Sequence, residues 1–209
     1  MNQKEIWDSR YLKKNDFPTE KVWIESFMEY ISENKENTII DLGCGKGDNA
    51  INLFKKGYNV FACDFSSVAI DTLHNEYPIL KTRCLDMINE FPNDIQKVGV
   101  IFASLSTHYF SLDDTVSLYA NIYNLLLPGG YFILRVNSKE EFERNNRHDV
   151  VSMLEEDYYL INDGTTKRYF DIEDITNLLN DFIIIKLNVK SEIYFKKEKH
   201  YIEVVAQKM

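Results

Sequence analysis

The sequence predicts a single α/β domain, a largely parallel sheet doubly wound with helices on both faces. Three observations predict it. Apolar strand-like runs alternate with helix-period segments over most of the chain. The first strand runs directly into a glycine-dense turn, IIDLGCGKGDNA at 39–50, that opens a helix. Two strand runs close the chain with only a short turn between them. Alternating strands and helices imply parallel pairing, because a parallel neighbour is reached only through a crossover.

Residues 18–34 read as a helix: Pro18 suits a first turn, and Trp23, Phe27, Tyr30 and Ile31 recur at helical spacing. NTIIDL is the first strand, followed by the glycine turn and a helix to about Lys56. YNVFACD is the second strand, and SSVAIDTLHNEY a helix with Ser66 or Ser67 as its N-cap. ILKTRCLD and KVGVIFAS are the third and fourth strands. SLDDTVSLYANIYNLL is a helix in which Ser111 and Asp114 have capping-box spacing, giving Asp113 and Asp114 a structural reading. LLPGGYFILRVNS holds a helix stop, a turn and the fifth strand; DIEDITNLLND is helical; FIIIKLNVK and HYIEVVAQK form a terminal antiparallel pair. The stretch 139–170 is too long for a simple connection, and DYYLINDGTTKRYF within it carries a turn signal at Asp163-Gly164.

With 209 residues, 44% hydrophobic and 27% charged, the chain suffices for one such domain with a sizeable core. Acidic residues outnumber basic ones 33 to 24, a net charge of −9. Phosphate binding calls for a basic stripe, so no nucleic-acid partner is expected. The one basic cluster, FKKEKH at 195–200, reads as a solvated hairpin turn. No apolar run reaches membrane-spanning length and MNQKEIWDSRY lacks the apolar core of a signal peptide, so no membrane partner is expected. Cys44, Cys63 and Cys84 form neither a CxxC spacing nor an even framework. They are expected to be reduced and buried in a cytoplasmic protein with no metal site.

Parallel sheets bind ligands outside the C-terminal ends of their strands. This topology puts Asp41, Gly43, Gly45, Asp64, Asp86 and residues 103–109 on one rim. Three ligand chemistries compete for the glycine turn. A triphosphate cradle requires GxxxxGK followed by Ser or Thr, and GCGKGDN has neither that spacing nor the hydroxyl. A dinucleotide fingerprint, GxGxxG, fails at its third glycine, where Asp48 stands. The pyrophosphate would lie at the helix N-terminus that this carboxylate occupies. A sulfonium methyl donor fits better, having no phosphate but an ammonium, a positive sulfur, a ribose diol and an adenine. An acid ending the first strand suits the ammonium, one ending the second suits the diol, and Asp86 after the third can accept from the adenine amino group.

DLGCGKGDN, ACDFS, CLDM, FASLSTHYF and LLPGGYFILRVNS together resemble successive motifs of the class I S-adenosylmethionine-dependent methyltransferases, over roughly residues 36–137. WDSRY and GCGKGDN are similar to the small-molecule branch that includes tellurite-resistance and thiopurine methyltransferases. The resemblance implies a Rossmann-like seven-stranded sheet with the last strand inserted antiparallel. It implies that Asp41 and the backbone at Gly43, Cys44 and Gly45 hold the methionine portion. Asp64 would then hold the ribose beside Phe65, Asp86 and Met87 the adenine, and Ala103, Ser104 and Leu105 would flank the donor. Asp48 and Asn49, which close the loop, join the same cofactor set.

In this family the acceptor sits near SLSTHYF, so His108 or Tyr109 is expected to handle an acceptor proton, the alternative being that they pack under the next helix. Trp7, Arg10 and Tyr11 belong to a segment, 1–35, that in similar enzymes folds over the donor as a lid. Residues 139–170 are expected to cover the acceptor, with Arg168, Tyr169, Tyr158 and Tyr159 shaping the pocket and Arg168 pairing an anionic substrate. Residues 1–209 are thus expected to form one methyltransferase domain that binds S-adenosylmethionine and methylates a small molecule by in-line displacement. The alternatives are a protein or RNA acceptor, a non-catalytic donor-binding module, and a nicotinamide-dependent enzyme.

Overall fold

The computed structural model describes residues 2–13, 22–194 and 197–209. In chain order its helices and strands are α1 (Gln3–Leu12), α2 (Met28–Ser32), β1 (Thr38–Leu42), α3 (Asp48–Lys55), β2 (Asn59–Asp64), α4 (Ser67–Glu76), β3 (Lys81–Cys84) and β4 (Val98–Ser104). They continue as α5 (Leu112–Leu125), β5 (Leu126–Asn137), α6 (Lys139–Glu141), β6 (Val150–Glu155), β7 (Tyr158–Ile161), β8 (Thr166–Arg168), α7 (Ile172–Leu178), β9 (Phe182–Tyr194) and β10 (Lys197–Lys208).

Seven strands form one sheet in the order β3-β2-β1-β4-β5-β10-β9. The pairs among β1 to β5 are parallel, while β10 runs antiparallel to both β5 and β9. The fold class read from the sequence, with its last strand inserted antiparallel, is the one observed. Chain order reverses between β1 and β4, so their C-terminal ends flank the crevice in which such sheets bind ligands.

Alternation along each strand feeds two cores. On one face Ile40, Leu42, Phe61, Ile101, Phe132 and Leu134 pack with Leu118, Tyr119 and Ile122 of α5 and Ile175 of α7. On the other, Ile39, Val60, Val100, Phe102 and Ile133 meet Phe27, Ile31, Ala50, Leu53 and Leu73. Each Val, Leu, Ile or Phe among them stabilises the fold by about 1.5–3 kcal/mol relative to exposure.

The capping predictions hold for the helices they name. The Ser66 side chain accepts from the Ala69 N–H and caps α4; Ser111 accepts from the Asp114 N–H and caps α5. The helix read over 18–34 is not one helix. Residues 18–21 lie outside the described residues; Trp23–Phe27 form a 3-10 turn that leads into the short α2. Its apolar residues keep a helical spacing, but burial of Trp23, Ile24 and Phe27 against the sheet tightens the turn. Residues 139–170 hold α6, irregular helical turns and a separate three-stranded antiparallel sheet, β6-β7-β8, with the Asp163-Gly164 turn joining β7 to β8. The turn read at 195–200 is shorter: β10 begins at Lys197, and residues 195–196 lie outside the described residues.

Candidate active site

A cavity of about 620 Å³ opens over the C-terminal ends of β1, β2, β3 and β4. Its floor is the glycine turn. Gly43 has φ +81°, and a Cβ there would lie 2.3 Å from Ser106 Cβ. One at Gly45, φ +55°, would lie 2.8 Å from the Tyr11 hydroxyl. At Gly43 the close contact and the left-handed backbone together require a residue without a side chain, whereas at Gly45 an added Cβ would displace the tip of Tyr11. The N–H groups of Gly43 and Cys44 both donate to the Cys63 carbonyl at 2.8 Å, which fixes the turn to the end of β2.

Carboxylates ring this floor: Asp41, Asp48, Asp64 and Asp86 all line the cavity. Asp64 is 8% exposed and takes the Gly45 N–H on one oxygen at 2.8 Å and the Ser66 N–H on the other at 2.9 Å. It therefore joins the glycine turn to the start of α4. Burial raises its carboxyl above the ordinary value, against the lowering effect of those N–H groups. A carboxylate has about four acceptor positions, so capacity remains for a ribose hydroxyl. Asp86 accepts from the Ile88 N–H at 2.9 Å and from the Asn89 side chain at 2.8 Å, which aims it from the loop after β3. Asn49 accepts from the Ile24 N–H at 3.1 Å, tying the segment before α2 to the first turn of α3. Cys44 stays a thiol, because burial raises its pKa well above the ordinary value.

After β4 the chain turns sharply. Leu105 has φ +55°, uncommon for a residue with a side chain, and its N–H donates to Arg135 O at 2.8 Å. The Ser104 hydroxyl accepts from the Arg135 guanidinium at 2.9 and 3.2 Å, while Arg135 also pairs with Glu192 on β9. Strained backbone costs roughly 1–3 kcal/mol and persists where its surroundings over-determine it, as this network does.

Helix α1 lies across the cavity, with Trp7, Arg10 and Tyr11 lining it. It buries only Ile6 and is held largely by polar tethers. Asp8 accepts from Ser66, Ser67 and the Val68 N–H at the first turn of α4; Arg10 pairs with Asp163 at 2.6 Å; Gln3 donates to Gly164 O at 2.9 Å. The Trp7 ring meets Tyr109 edge-on, with centroids 5.0 Å apart.

Of the residues singled out from sequence, the structure brings Asp41, Gly43, Cys44, Gly45, Asp48, Asn49, Asp64, Phe65, Asp86, Met87, Ser104, Leu105, Trp7, Arg10, Tyr11 and Tyr109 to this one cavity. It does not bring Ala103, His108, Arg168 or Tyr169 there. Ala103 is fully buried beneath. His108 is 1% exposed and sits behind Tyr109, ring centroids 4.3 Å apart. Burial, with help from Lys199, Lys167 and Arg135, lowers its pKa well below the ordinary value, so it is neutral. Arg168 is turned away: its guanidinium donates to Phe110 O at 3.2 Å and Glu156 O at 3.1 Å and pairs with Glu155. Tyr169 is buried beside Phe142. Arg168 and Tyr169 border a separate hollow between α5 and α7 instead. Sequence reasoning assigned no role here to Ser106, Lys199, Thr166 or Asn89, which also line the cavity. Only Ser106 and Asn89 carried a local signal, lying next to motif residues.

S-adenosylmethionine fits the residues present. The turn admits only glycine at Gly43, its closest approach, the rim is acidic where an ammonium and hydroxyl groups would lie, and no basic residue replaces Asp48 to take a phosphate.

Comparison with known proteins agrees on this fold and ligand. Residues 39–130 match the family model described as a methyltransferase domain. A tRNA N(3)-methylcytidine methyltransferase of Schizosaccharomyces pombe is 26% identical over 220 residues, covering 92% of this chain and 68% of that protein. A tRNA N(3)-cytidine methyltransferase of Rattus norvegicus is 26% identical over 196 residues, covering 84% of this chain and 66% of that one. The crystal structure of an S-adenosylmethionine-dependent methyltransferase from Clostridium acetobutylicum superposes with a TM-score of 0.70 at 22% identity, covering 98% of this chain and 96% of that one.

These relatives overturn the expectation of a small-molecule acceptor and of no nucleic-acid partner, since they are named for tRNA. These relatives do not confirm the narrower likeness to the small-molecule branch. The error has a physical source: a net charge of −9 is an average over the whole surface, whereas a nucleic acid responds to the local field where it docks. No helix among the described residues is long and apolar enough to cross a membrane. The close-packed glycine turn, the acids at or just after three successive strands and the matched domain lead to one conclusion: the chain carries an S-adenosylmethionine-dependent methyltransferase domain built on the class I fold.

Proposed function

We propose that the chain methylates RNA, with N3 of a cytidine in tRNA as the acceptor atom. The observation that carries this reading is the extent of the likeness to the Schizosaccharomyces pombe enzyme. It covers 92% of the chain, and so reaches well beyond the matched domain at 39–130 into the segments on the acceptor side. Geometry supports it. Cytosine N3 presents an in-plane lone pair and carries no proton at neutral pH, so its attack on a methyl group needs no base. Among the described residues no histidine lines the cavity, which matches this requirement.

When bound, S-adenosylmethionine supplies a methyl group already attached to a good leaving group. The chain's own residues then align and enclose. Asp41 and the glycine turn would take the amino-acid portion, Asp64 the ribose, and Asp86 with Met87 the adenine. Ser104 and Leu105 would flank the reacting centre, and Tyr109 would orient the acceptor. Alignment in a dry cleft can supply about 7 kcal/mol or more. In this reading residues 1–209 act as one domain, α1 within segment 1–35 is a lid, and segment 139–170 covers the acceptor. The three free cysteines suit a reducing, cytoplasmic setting.

The test is incubation with methyl-labelled donor and bulk tRNA, followed by digestion to nucleosides and mass spectrometry. Label in 3-methylcytidine is the expected result. Label in no nucleoside, with donor binding intact, would discard the proposal.

A further inference from the structure

The cavity is electrically divided, and the division follows from topology. Its acids stand at the ends of β1, β2 and β3, or just after the glycine turn, on one side of the switch point. On the other side stand Trp7, Tyr109, Phe110, Tyr158 and Lys199. Lys199 arrives there because β10 runs antiparallel. Its pairing sets Tyr201 opposite Asn137 at the end of β5, so the beginning of β10 lies on the rim formed by the ends of the parallel strands.

Asp114 also lines this end, but sits in the first turn of α5 and accepts from the Ser111 hydroxyl at 2.7 Å. Asp163 is engaged by Arg10 at 2.6 Å. Lys167 lies close to Asp163. The charges that act on buried His108 are Lys199, Lys167 and Arg135, all positive. Those that act on Tyr109 are Arg10, Asp163 and Asp64, so a protein with a net charge of −9 sets the cations Arg10 and Lys199 among the acids where the acceptor would enter. Beside them is a set of half-buried aromatic rings, the surface on which an unstacked base is held.

We propose that this end of the cavity receives one unstacked nucleotide, its base against the Trp7–Tyr109 pair and its phosphate at the Lys199 ammonium. The proposal rests on the RNA reading above and adds to it the residues that hold the acceptor. Lys199 is a binding residue for the phosphate; Tyr109 stacks on the base and takes no proton.

The experiment compares wild type, Lys199→Gln, Lys199→Arg and Tyr109→Leu. Binding of fluorescently labelled bulk tRNA is followed by anisotropy over a salt series, and binding of S-adenosylhomocysteine by calorimetry. For Lys199→Gln the expected result is tRNA affinity about five- to tenfold lower at 0.1 M salt. The slope of log affinity against log salt should be shallower by about one. Lys199→Arg should keep both, and S-adenosylhomocysteine binding should match wild type in the two Lys199 variants, which reports that they are folded; folding of Tyr109→Leu is read from circular dichroism, because Tyr109 also touches the lid through Trp7. Tyr109→Leu should weaken tRNA binding without changing the salt slope. Unchanged tRNA affinity and slope in Lys199→Gln, with wild type active on tRNA, overturns this assignment alone. Wild type that neither binds nor methylates tRNA overturns the RNA reading and this assignment with it.

Discussion

Replacing Gly43 by alanine tests the cofactor floor where its geometry is tightest. The added Cβ would lie 2.3 Å from Ser106 Cβ and 2.8 Å from its Oγ. Rotation about χ1 cannot move a Cβ, so the backbone of residues 104–106 has to shift. Two costs follow. Left-handed backbone at φ +81° costs a residue with a side chain roughly 1–2 kcal/mol. Displacing Ser106 also breaks its hydroxyl bond to Leu42 O, about 1 kcal/mol. The expected loss of stability is therefore about 2–3 kcal/mol, read as a lower urea midpoint at unchanged slope. S-adenosylhomocysteine affinity should fall at least about tenfold, or 1.4 kcal/mol, by calorimetry, because the displaced segment is the one that would flank the donor. Gly57→Ala is the control: its φ is +85° with nothing within 4 Å of the added Cβ. It should lose only the conformational part, with binding intact. If the two variants are equally stable and both bind like wild type, the close-packed floor is not what holds the ligand.

Two further outcomes follow from the same geometry. Trp7→Ala removes the ring that meets Tyr109 and lies under Arg10 at 4.7 Å, on a helix that buries only Ile6. It should raise amide exchange across residues 3–12 and weaken S-adenosylhomocysteine binding about tenfold; unchanged exchange and binding would remove the lid from the account. His108 gives a pH signature. Burial holds its folded pKa well below the ordinary value of 6.5, so the unfolded chain takes up the proton first as pH falls. The contribution is fully present above pH 6.5 and declines below it by about 1.4 kcal/mol per pH unit until the folded pKa is reached. Denaturation midpoints at pH 7.5, 6.5 and 5.5 should show that decline in wild type and a shallower one in His108→Gln; parallel profiles would mean that His108 is not held neutral.

The donor half of the site was legible because it is local. Asp41 and Gly43 lie at the end of β1, Asp64 ends β2 and Asp86 follows β3 by two residues, so strand order alone carries them to one rim. Arg168 misled because TTKRYF offers a cation next to aromatics, and nothing in the segment shows that Glu155 and the carbonyls of Phe110 and Glu156 would claim it. His108 misled for a related reason. The motif places it one residue from the cavity, and only packing decides which of two neighbouring rings faces in. Lys199 was hidden in FKKEKH, where a run of lysines has the composition of a solvated turn.

The sequence by itself determined the class of fold and the meeting of the glycine turn with its acids on one rim. Hydrophobic period, helix caps and the glycine positions are short-range constraints that hold wherever the chain goes. The acceptor side was decided only by tertiary structure. Lys199 reaches the rim because a strand of distant sequence is inserted antiparallel beside β5, and Tyr109 faces the cavity because His108 is packed behind it. The local field there is set by charges far apart in the chain, and no sum over composition reproduces a field that depends on where each charge comes to rest.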